Sequence, residues 1–461
     1  MVVEGWLQRA ASNAPRRTAI ETPHGSRSYA ELLADARSGA AELSERGVAA
    51  GSRVAICLPP GLAFAQALHA CLLLGAAAVP IDLRLSPAER ERLARGAAVC
   101  VDAPLGEGLS EAQGPASAAH EPLDPAAGHA LDATAVVIHT SGTTAAPRPI
   151  ELTYGNFLWS ALGSAVALGL DPRERWLCAL PLSHVGGLSI LLRSAIYATT
   201  AVVHERFDTE RVLHAVSERQ ITLVSLVPTT LARLLDGGLR RPPDLRCALL
   251  GGGPVPPTLL DRARAAGVPV RQTYGLTESA SQATTSPLAA SPEDQDAAGT
   301  PLFCTKVRIA PSPTAHSGEP PVGEILLAGP TVAPGSRARD GWLHTGDLGS
   351  IDGAGRLRVS GRESDTIVSG GENIAPAEVE AVLEAHPDVL EAAVIGRPDR
   401  RWGEAVTAIV VTRPGGEVAG EALRAHCAAS LASFKVPKRI ELTREALPRT
   451  GSGKLLRKDL V

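Results

Sequence analysis

The chain has 461 residues, a formal net charge of −4 and 44% hydrophobic residues. This length exceeds one compact core and, at about 150 residues per domain, suggests roughly three units. The charge provides no basic face for nucleic acid, so we expect small-molecule partners.

Targeting and redox signals are weak. The N-terminus lacks the basic start and apolar core of a signal peptide. The longest apolar stretch, about Leu62 to Val79, contains Gln66, His69 and Gly75, which favours a buried helix and strand over a membrane span. The seven cysteines are scattered without a C-x-x-C pair. This pattern favours reduced thiols and a cytoplasmic location over disulfides or zinc.

Short apolar runs bounded by turn residues alternate with amphipathic segments up to about residue 275. The predicted strands are Val54–Leu58, Thr134–His139, Arg175–Leu180, Ala201–His204, Thr222–Val227, Leu245–Leu250 and Val268–Thr273. The predicted helices include Tyr29–Arg46, Leu62–Leu74, Asp208–Arg219, Thr229–Leu235 and Pro256–Ala266. This alternation predicts an α/β fold with parallel-type βα sheets. A polar stretch, Ala103–Asp132, is predicted to be a surface connection.

The pattern changes after about Gly341. Short strands are predicted around Gly355–Gly361 and Asp365–Gly370, and a helix follows that has proline at its first position. Further predicted elements are the helices Pro376–Glu384 and Gly420–Ser430 and the strands Val389–Ile395 and Ala405–Thr412. These elements predict a small α+β domain of about 100 residues, which could act as a lid.

The strongest local motif is His139-Thr-Ser-Gly-Thr-Thr144, directly after an apolar strand. Its hydroxyl and backbone N–H donors could wrap a polyphosphate. The spacing is not that of a P-loop. Taken alone, an ordinary Ser/Thr turn explains the motif about equally well. The residues predicted to hold phosphates are Thr140, Ser141, Gly142, Thr143 and Thr144.

Two further segments follow predicted strands. In Gln272-Thr-Tyr-Gly-Leu-Thr-Glu278, Tyr274 could stack on a base, Thr277 could reach a phosphate and Glu278 could hold Mg²⁺. In Gly251-Gly-Gly-Pro254, the missing side chains of Gly251, Gly252 and Gly253 would let a flat ring approach the backbone. Because ligands bind beyond the carboxyl ends of parallel strands, we expect these loops and the hydroxyl-rich loop, His139–Thr144, to open onto one crevice.

Two motifs lie towards the C-terminus. Asp347 in Thr345-Gly-Asp347 and Arg362 in Gly361-Arg362 could hold the two ribose hydroxyls, one side chain accepting and the other donating. Pro448-Arg-Thr-Gly-Ser-Gly-Lys454 places Lys454 on a glycine-rich arm, although taken alone this motif is more typical of a flexible basic tail. No single motif identifies the function, but the order of the motifs along the chain does.

In this order and spacing, the motifs resemble those of the acyl-CoA synthetase (adenylate-forming) superfamily over nearly the whole chain. The resemblance implies a core domain at residues 1–361 and a mobile lid domain at residues 362–461, hinged near residues 362–365. It also implies an ATP-dependent, AMP-forming acid–thiol ligase that uses Mg²⁺ and coenzyme A (CoA). Lys454 would bridge the acyl carboxylate and the α-phosphate, where a cation lowers the barrier. Gly370 and Gly371 would line the pantetheine tunnel.

Within the superfamily, Leu180–Arg193, Pro80–Ser86 and the modest length are most similar to o-succinylbenzoate–CoA ligases of menaquinone biosynthesis. Their substrate carries a second carboxylate that is not activated. On a helix, Ser189 and Arg193 share one face, and Arg193 could bind that carboxylate. The alternative for Arg193 is a solvated helix face. His184 would line the same pocket or, about equally, be a packed core histidine.

The sequence departs from the family after Thr144, where Ala145-Ala-Pro-Arg-Pro149 replaces a segment that usually has two glycines and a lysine. The stiffer loop predicts a raised KM for ATP. It also leaves open a non-catalytic nucleotide-binding paralogue. The motifs are compatible, too, with an aryl- or medium-chain acyl-CoA ligase and with an adenylating enzyme that serves a carrier protein. The oligomeric state, with a homo-oligomer among the options, stays open.

Overall fold

The structure is a computed structural model that describes residues 1–106, 128–140, 148–288, 297–311, 320–369, 372–416, 418–450, 453 and 455–460. Several predicted site residues lie outside the described residues. They are Ser141, Gly142, Thr143, Thr144, Gly370, Gly371 and Lys454.

The helices in the described ranges follow the predicted pattern closely. They are α1 (Trp6–Asn13), α2 (Tyr29–Glu45), α3 (Leu62–Leu73), α4 (Pro87–Ala94), α5 (Tyr154–Leu168), α6 (Val185–Tyr197), α7 (Thr209–Glu218), α8 (Pro228–Asp236), α9 (Pro257–Ala265), α10 (Pro376–Glu384) and α11 (Gly420–Ser430). Capping explains several boundaries, since Ser28, Ser86 and Thr153 each accept a hydrogen bond from the first turn of the helix that follows.

The strands of the larger, N-terminal part are short. They are β1 (Val2–Val3), β2 (Thr18–Thr22), β3 (Gly25–Ser28), β4 (Arg53–Ile56), β5 (Ala77–Pro80), β6 (Val99–Val101), β7 (His129–Ala130), β8 (Thr134–Thr140), β9 (Arg148–Thr153), β10 (Arg175–Cys178), β11 (Thr200–Val203), β12 (Leu223–Leu226), β13 (Cys247–Leu250), β14 (Val270–Tyr274), β15 (Thr284–Thr285), β16 (Thr300–Pro301), β17 (Lys306–Ala310), β18 (Gly323–Ala328), β19 (Leu343–Ile351) and β20 (Leu357–Arg362). Those of the smaller, C-terminal part are β21 (Ile367–Ser369), β22 (Glu372–Ile374), β23 (Val389–Asp399), β24 (Gly403–Thr412) and β25 (Arg439–Thr443).

Two sheets with parallel centres form the larger part. One has nine strands in the order β16-β15-β14-β13-β12-β10-β11-β2-β3, and the other has five in the order β6-β4-β5-β8-β9. An antiparallel sheet, β17-β18-β19-β20, follows them. The strand before the hydroxyl-rich loop, β8, and the strand before Tyr274, β14, belong to different sheets. The two loops therefore leave different sheets, so the prediction that they open onto one crevice depends on how the two sheets pack together.

Burial alternates along the central strands of the nine-stranded sheet. In β13, Cys247 and Leu249 face a core shared with α2, α3, α5 and α6, whereas Ala248 and Leu250 face α7, α8 and α9. Strands covered on both faces are apolar at every position, which is why the sequence shows continuous runs here. Helices α2, α3, α5 and α6 thus lie between the two sheets, and this layer holds the main core.

The smaller part is a mixed sheet, β22-β21-β24-β23, to which β25 adds in parallel beside β24. Helices α10 and α11 cover it through a core that includes Val379, Leu383, Leu423 and Val410. The predicted fold class, a large α/β domain followed by a small α+β domain, is confirmed. The division between residues 361 and 362 and the movement of the smaller part stay predictions.

Candidate active site

The carboxyl ends of β10, β12, β13 and β14 lie along one edge of the nine-stranded sheet, because these strands run parallel. The segments that leave this edge are therefore neighbours. They include Leu180–His184 after β10, Val227–Thr229 after β12, Gly251–Gly253 after β13 and Gly275–Glu278 after β14. This edge gathers most of the predicted site residues that the structure describes.

The glycines after β13 have different roles. A Cβ on Gly251 would lie 2.8 Å from Thr273 Cγ2 and 2.9 Å from its carbonyl oxygen, so only glycine fits beside β14. Gly252 has φ +83°, a conformation that disfavours other residues. No atom of the described residues lies within 4 Å of a Cβ built on Gly253. Gly253 thus presents bare backbone, as a surface for a flat ring requires.

Tyr274, Asp347 and Arg362 form one hydrogen-bonded network. The Tyr274 hydroxyl donates to Asp347 Oδ2 at 2.8 Å, and Arg362 Nε donates to Asp347 Oδ1 at 3.0 Å. Burial, reinforced by the Asp347 carboxylate, raises the pKa of Tyr274, so its hydroxyl keeps the donated proton. The carboxylate retains lone pairs for further donors. Residues far apart in sequence are therefore assembled as a nucleotide site requires.

The turn Thr277–Ser279 holds Glu278 at the rim of the crevice. The Glu278 carbonyl accepts a hydrogen bond from Ala333 N at 2.8 Å, and Ser279 Oγ accepts one from Leu276 N at 2.9 Å. Ala280 and Ser281 follow with φ 52° and 91°. Left-handed non-glycine residues often mark functional sites. The backbone contacts fix the turn and leave the Glu278 carboxylate available.

The donor set of this rim suits Mg²⁺. In the described part of the chain, no three His, Cys, Asp or Glu side chains converge as a metal site. Mg²⁺ is commonly held by one or two carboxylates together with substrate phosphates and water. Glu278, with hydroxyl oxygens such as that of Thr277 nearby in sequence, fits this mode of binding.

Thr140 and Arg148 are the two described ends of the hydroxyl-rich loop. They are paired across the antiparallel strands β8 and β9, with Thr140 Oγ1 donating to the Arg148 carbonyl at 3.4 Å. Pro149 lies on the edge strand β9, where a missing N–H is tolerated. Strand β9 also packs against Thr277–Ser279. Packing between elements of different sheets therefore places the strand that follows the loop against the Glu278 turn.

Helix α6 begins at the crevice and runs into the core. Arg193 is 2% exposed, so the alternative of a solvated helix face is wrong. Its Nη2 donates to Ser160 Oγ at 3.0 Å, its guanidinium lies 5.6 Å from the Trp176 ring centre, and its Nε has no partner. Burial lowers the pKa of Arg193. Among the described residues no carboxylate pairs with it.

Ser189 lies one helical turn before Arg193 and is equally buried, and its hydroxyl also lacks a partner. Buried polar groups are normally hydrogen-bonded, and exceptions call for an explanation. The predicted pair Ser189 and Arg193 is thus a buried polar surface with unused donors.

His184 precedes α6 and faces the crevice. Its side chain is 36% exposed, so the alternative of a packed core histidine is wrong. Its Nε2 lies 3.9 Å from Asp82 Oδ2. Although burial opposes it, hydrogen bonding from Arg84 holds the pKa of Asp82 below its usual range. An ionised Asp82 therefore stands beside the histidine.

Ser160 of α5 was not predicted from the sequence. Its hydroxyl accepts from Arg193 and donates to the Ala280 carbonyl at 2.7 Å, so it connects the buried guanidinium to the Glu278 turn. The only signal in the sequence is that Ser160 is one of two serines in an apolar helix, and this does not identify its partners.

The C-terminal arm reaches the same edge of the sheet. A Cβ on Gly453 would lie 3.4 Å from Thr229 Oγ1 and 3.7 Å from Val227 Cγ2. The residue directly before Lys454 therefore contacts the segment that follows β12. Separately, no helix among the described residues is long and apolar enough to cross a membrane.

Comparison with known proteins gives full-length matches. The chain is 39% identical to the 2-succinylbenzoate–CoA ligase of Bacillus subtilis, covering 99% of this chain and 97% of that protein. It is 38% identical to the enzyme of the same name from Geobacillus kaustophilus, covering 99% and 96%.

Comparison with solved structures also gives matches over nearly the whole chain. The o-succinylbenzoate CoA synthetase of Bacillus subtilis, in complex with its acyl-adenylate intermediate, has a TM-score of 0.89 and 38% identity over 100% of this chain and 98% of that one. The same enzyme with ATP and magnesium ion gives a TM-score of 0.88 at 38% identity, covering 100% of both chains. ATP-bound MatB from Rhodopseudomonas palustris gives 0.86 at 26% identity, covering 99% and 98%.

The family comparison assigns both parts of the chain. Residues 7–336 match the AMP-binding enzyme family, and residues 378–454 match the C-terminal domain of AMP-binding enzymes. The chain therefore belongs to the AMP-binding enzyme family.

Proposed function

We propose that the chain is an AMP-forming acid–thiol ligase that converts 2-succinylbenzoate, ATP and CoA into 2-succinylbenzoyl-CoA, AMP and pyrophosphate. Relatives named for this reaction align over nearly the whole chain. The hydrogen-bonded network of Tyr274, Asp347 and Arg362 supports a nucleotide site. The reaction would supply a thioester for menaquinone biosynthesis.

The observation that carries the choice of substrate is the buried Arg193. A guanidinium removed from water without an anionic partner is costly, and a bound carboxylate offsets that cost. 2-Succinylbenzoate has two carboxylates, only one of which is activated. We assign the second carboxylate to Arg193, with Ser189 as a further donor and His184 at the mouth of the pocket.

The first half-reaction joins the activated carboxylate to AMP. A carboxylate oxygen attacks the α-phosphorus of ATP, and the bond to the pyrophosphate oxygen breaks. Asp347 and Arg362 would hold the ribose, while Tyr274 and the segment Gly251–Gly253 would flank the adenine. Lys454 would balance the two anions that approach each other.

We assign the phosphate groups of ATP to residues near the Glu278 turn. Thr140–Thr144 would bind the β- and γ-phosphates, with Thr277 beside them. Glu278 would hold Mg²⁺, which when bound neutralises phosphate charge as pyrophosphate departs.

The second half-reaction transfers the acyl group. The CoA thiol sulfur attacks the acyl carbonyl carbon, the bond to the AMP oxygen breaks, and the thiol loses its proton. We assign the pantetheine tunnel to Gly370 and Gly371. The lid at residues 362–461 would turn about residues 362–365 between the two half-reactions.

We also propose a cytoplasmic location. Each of the seven cysteines is an unpaired thiol. This is the state expected in a reducing compartment, which also supplies ATP and CoA.

A direct assay tests this function. Purified full-length protein is supplied with ATP, Mg²⁺, CoA and one acid from a panel of 2-succinylbenzoate, benzoate, 4-phenylbutyrate and octanoate. Pyrophosphate release and thioester formation are both measured. We expect thioester from 2-succinylbenzoate, with kcat/KM at least about 100-fold above that of the monocarboxylates, because these leave Arg193 unpaired. Equal turnover of a monocarboxylate would refute the dicarboxylate assignment.

A further inference from the structure

The arm that carries Lys454 is anchored to the small domain on both sides of the lysine. Leu447 before it and Leu455 and Leu460 after it pack with Ala393 and Ile395 of β23. Arg449 and Leu455 form an isolated antiparallel bridge, and Leu456 N donates to the Pro448 carbonyl at 2.9 Å. The chain therefore turns back on itself between Arg449 and Leu455, and Lys454 lies between these two anchored residues in sequence.

Arg449 holds the arm through the backbone. Its Nη1 donates to the Gly453 carbonyl at 2.9 Å, and its Nη2 donates to Glu391 Oε2 at 2.5 Å. The Gly453 carbonyl belongs to the peptide that joins Gly453 to Lys454. Glu391, on β23, also accepts a hydrogen bond from Leu447 N at 3.1 Å. The guanidinium thus fixes the peptide directly before the lysine relative to the sheet.

Arg457 holds the arm on the other side of the lysine. Its Nη2 donates to both carboxylate oxygens of Glu380, at 2.7 and 2.8 Å, and its Nη1 lies 3.1 Å from Asp365 Oδ2. Glu380 is on α10 and is buried, whereas Asp365 belongs to the segment predicted to be the hinge. Hydrogen bonds from two nitrogens of one guanidinium to carboxylates on different elements set its orientation as well as its distance.

We infer that Arg449 and Arg457 are positioning residues that hold Lys454 over the nucleotide site for acyl-adenylate formation. The inference rests on the proposed function, because it takes Lys454 as the cation of that step. A glycine-rich segment has many accessible backbone conformations, and the two guanidinium groups fix the chain at Gly453 and at Arg457, on the two sides of the lysine. A Cβ built on Gly453 would lie 3.4 Å from Thr229 Oγ1 and 3.7 Å from Val227 Cγ2, so this residue of the arm lies beside the large domain.

The inference distinguishes the two half-reactions. A displacement of about 1 Å can lower a rate about 100-fold, so losing the Arg449 contact should slow adenylation strongly. Thioester formation from acyl-adenylate does not bring two anions together and does not need Lys454 over the α-phosphate. Arg449 should therefore affect the first half-reaction and spare the second.

The experiment measures the half-reactions separately on the full chain. Pyrophosphate release is followed with 2-succinylbenzoate and ATP without CoA, and thioester formation is followed from synthetic acyl-adenylate and CoA. For Arg449→Ala we expect adenylation about 10- to 100-fold slower. Thioester formation should stay within about twofold of wild type. Arg449→Lys should recover part of the loss, since an ammonium cannot form both contacts with the geometry of a guanidinium.

Matched variants control the comparison. Arg444→Ala removes the same charge from an exposed position of the same segment and should leave both half-reactions unchanged. Arg457 is tested as Arg457→Met with Glu380→Gln, which avoids leaving a buried carboxylate unpaired. Lys454→Ala shows the full loss expected in the first half-reaction.

The outcomes are distinct. If Arg449→Ala slows both half-reactions by the same factor, or neither, the positioning role is wrong. If wild type releases no pyrophosphate with 2-succinylbenzoate, the proposed function has failed. The same variants are then measured with the acid that the panel identifies, so that the positioning role is still decided.

Discussion

The nucleotide network (Tyr274, Asp347 and Arg362) and the acyl pocket (Ser189 and Arg193) differ in whether their polar groups have protein partners before a ligand binds. In the network, Tyr274 and Arg362 already donate to Asp347, so each group has a protein partner before nucleotide binds. In the pocket, Arg193 Nε and Ser189 Oγ are buried without partners. The network joins Tyr274, at the end of β14, to the antiparallel sheet and partly faces solvent through Arg362, whereas Arg193 and Ser189 lie inside the core.

This difference separates the binding of ATP, which the network performs, from the selection of the acid substrate, which the pocket performs. A preformed network costs little to reorganise and suits ATP, the ligand that family members share. Buried groups without partners reject any acid that cannot satisfy them, because an unmet polar group inside a protein costs about 1–3 kcal/mol or more. The pocket is therefore where this chain should discriminate, and the predictions below test that division.

The largest effect should come from Arg193→Met. Turnover of 2-succinylbenzoate should fall about 100- to 1,000-fold in kcat/KM, because the second carboxylate loses its charged partner. The KM for ATP should not change. The free energy of unfolding without ligand should rise by about 1 kcal/mol, since a buried unpaired charge is removed. Arg173→Met, at an exposed ion pair with Asp171, is the control. Unchanged turnover would contradict the comparison.

Asp347→Asn should weaken nucleotide binding and leave the acyl pocket unaffected. The variant weakens acceptance from both Tyr274 and Arg362 and from the ribose, so the KM for ATP should rise about 10- to 100-fold. The KM for 2-succinylbenzoate should stay close to that of wild type. Steady-state kinetics with each substrate varied in turn give both values. Equal increases in the two KM values would show that the regions are not independent.

Tyr274→Phe should have a smaller effect at the same site. It removes one hydrogen bond to Asp347 and keeps the ring, so we expect the KM for ATP to rise about fivefold, corresponding to about 1 kcal/mol. Nucleotide titration by thermal shift, compared with the Asp347→Asn variant, checks the order. A larger effect for Tyr274→Phe would place the phenol in a direct contact with the ligand.

The smallest effect should come from the segment that follows the hydroxyl-rich loop, residues 145–149. The triple variant Ala145→Gly, Arg148→Lys and Pro149→Gly restores the usual family pattern and should lower the KM for ATP about two- to fivefold, since glycines relieve backbone constraint. Single Arg148→Lys should leave the KM unchanged, because the charge is kept. If the triple variant leaves ATP kinetics unchanged, the sequence departure has no functional meaning.

Much of the fold could be predicted because its signals are local. Strands such as Cys247–Leu250 are apolar at successive positions, and helices such as Pro376–Glu384 begin with proline, so a short window is enough. The order of the motifs from Thr140 to Lys454 likewise indicated the family and its chemistry. The residue types needed to bind phosphate, ribose and carboxylate could be read from the sequence.

Only the tertiary structure decided which of these elements meet. Strands β8 and β14 each lead into a predicted site segment, but nothing local places them in different sheets, because pairing depends on contacts between distant segments. The same holds for the burial of Arg193, which charge pattern alone would place on a solvated face. The contact of Arg449 with the Gly453 carbonyl depends on how the arm packs on β23. The sequence by itself determined which chemistry the chain carries, and the packing of distant segments decided where each group acts.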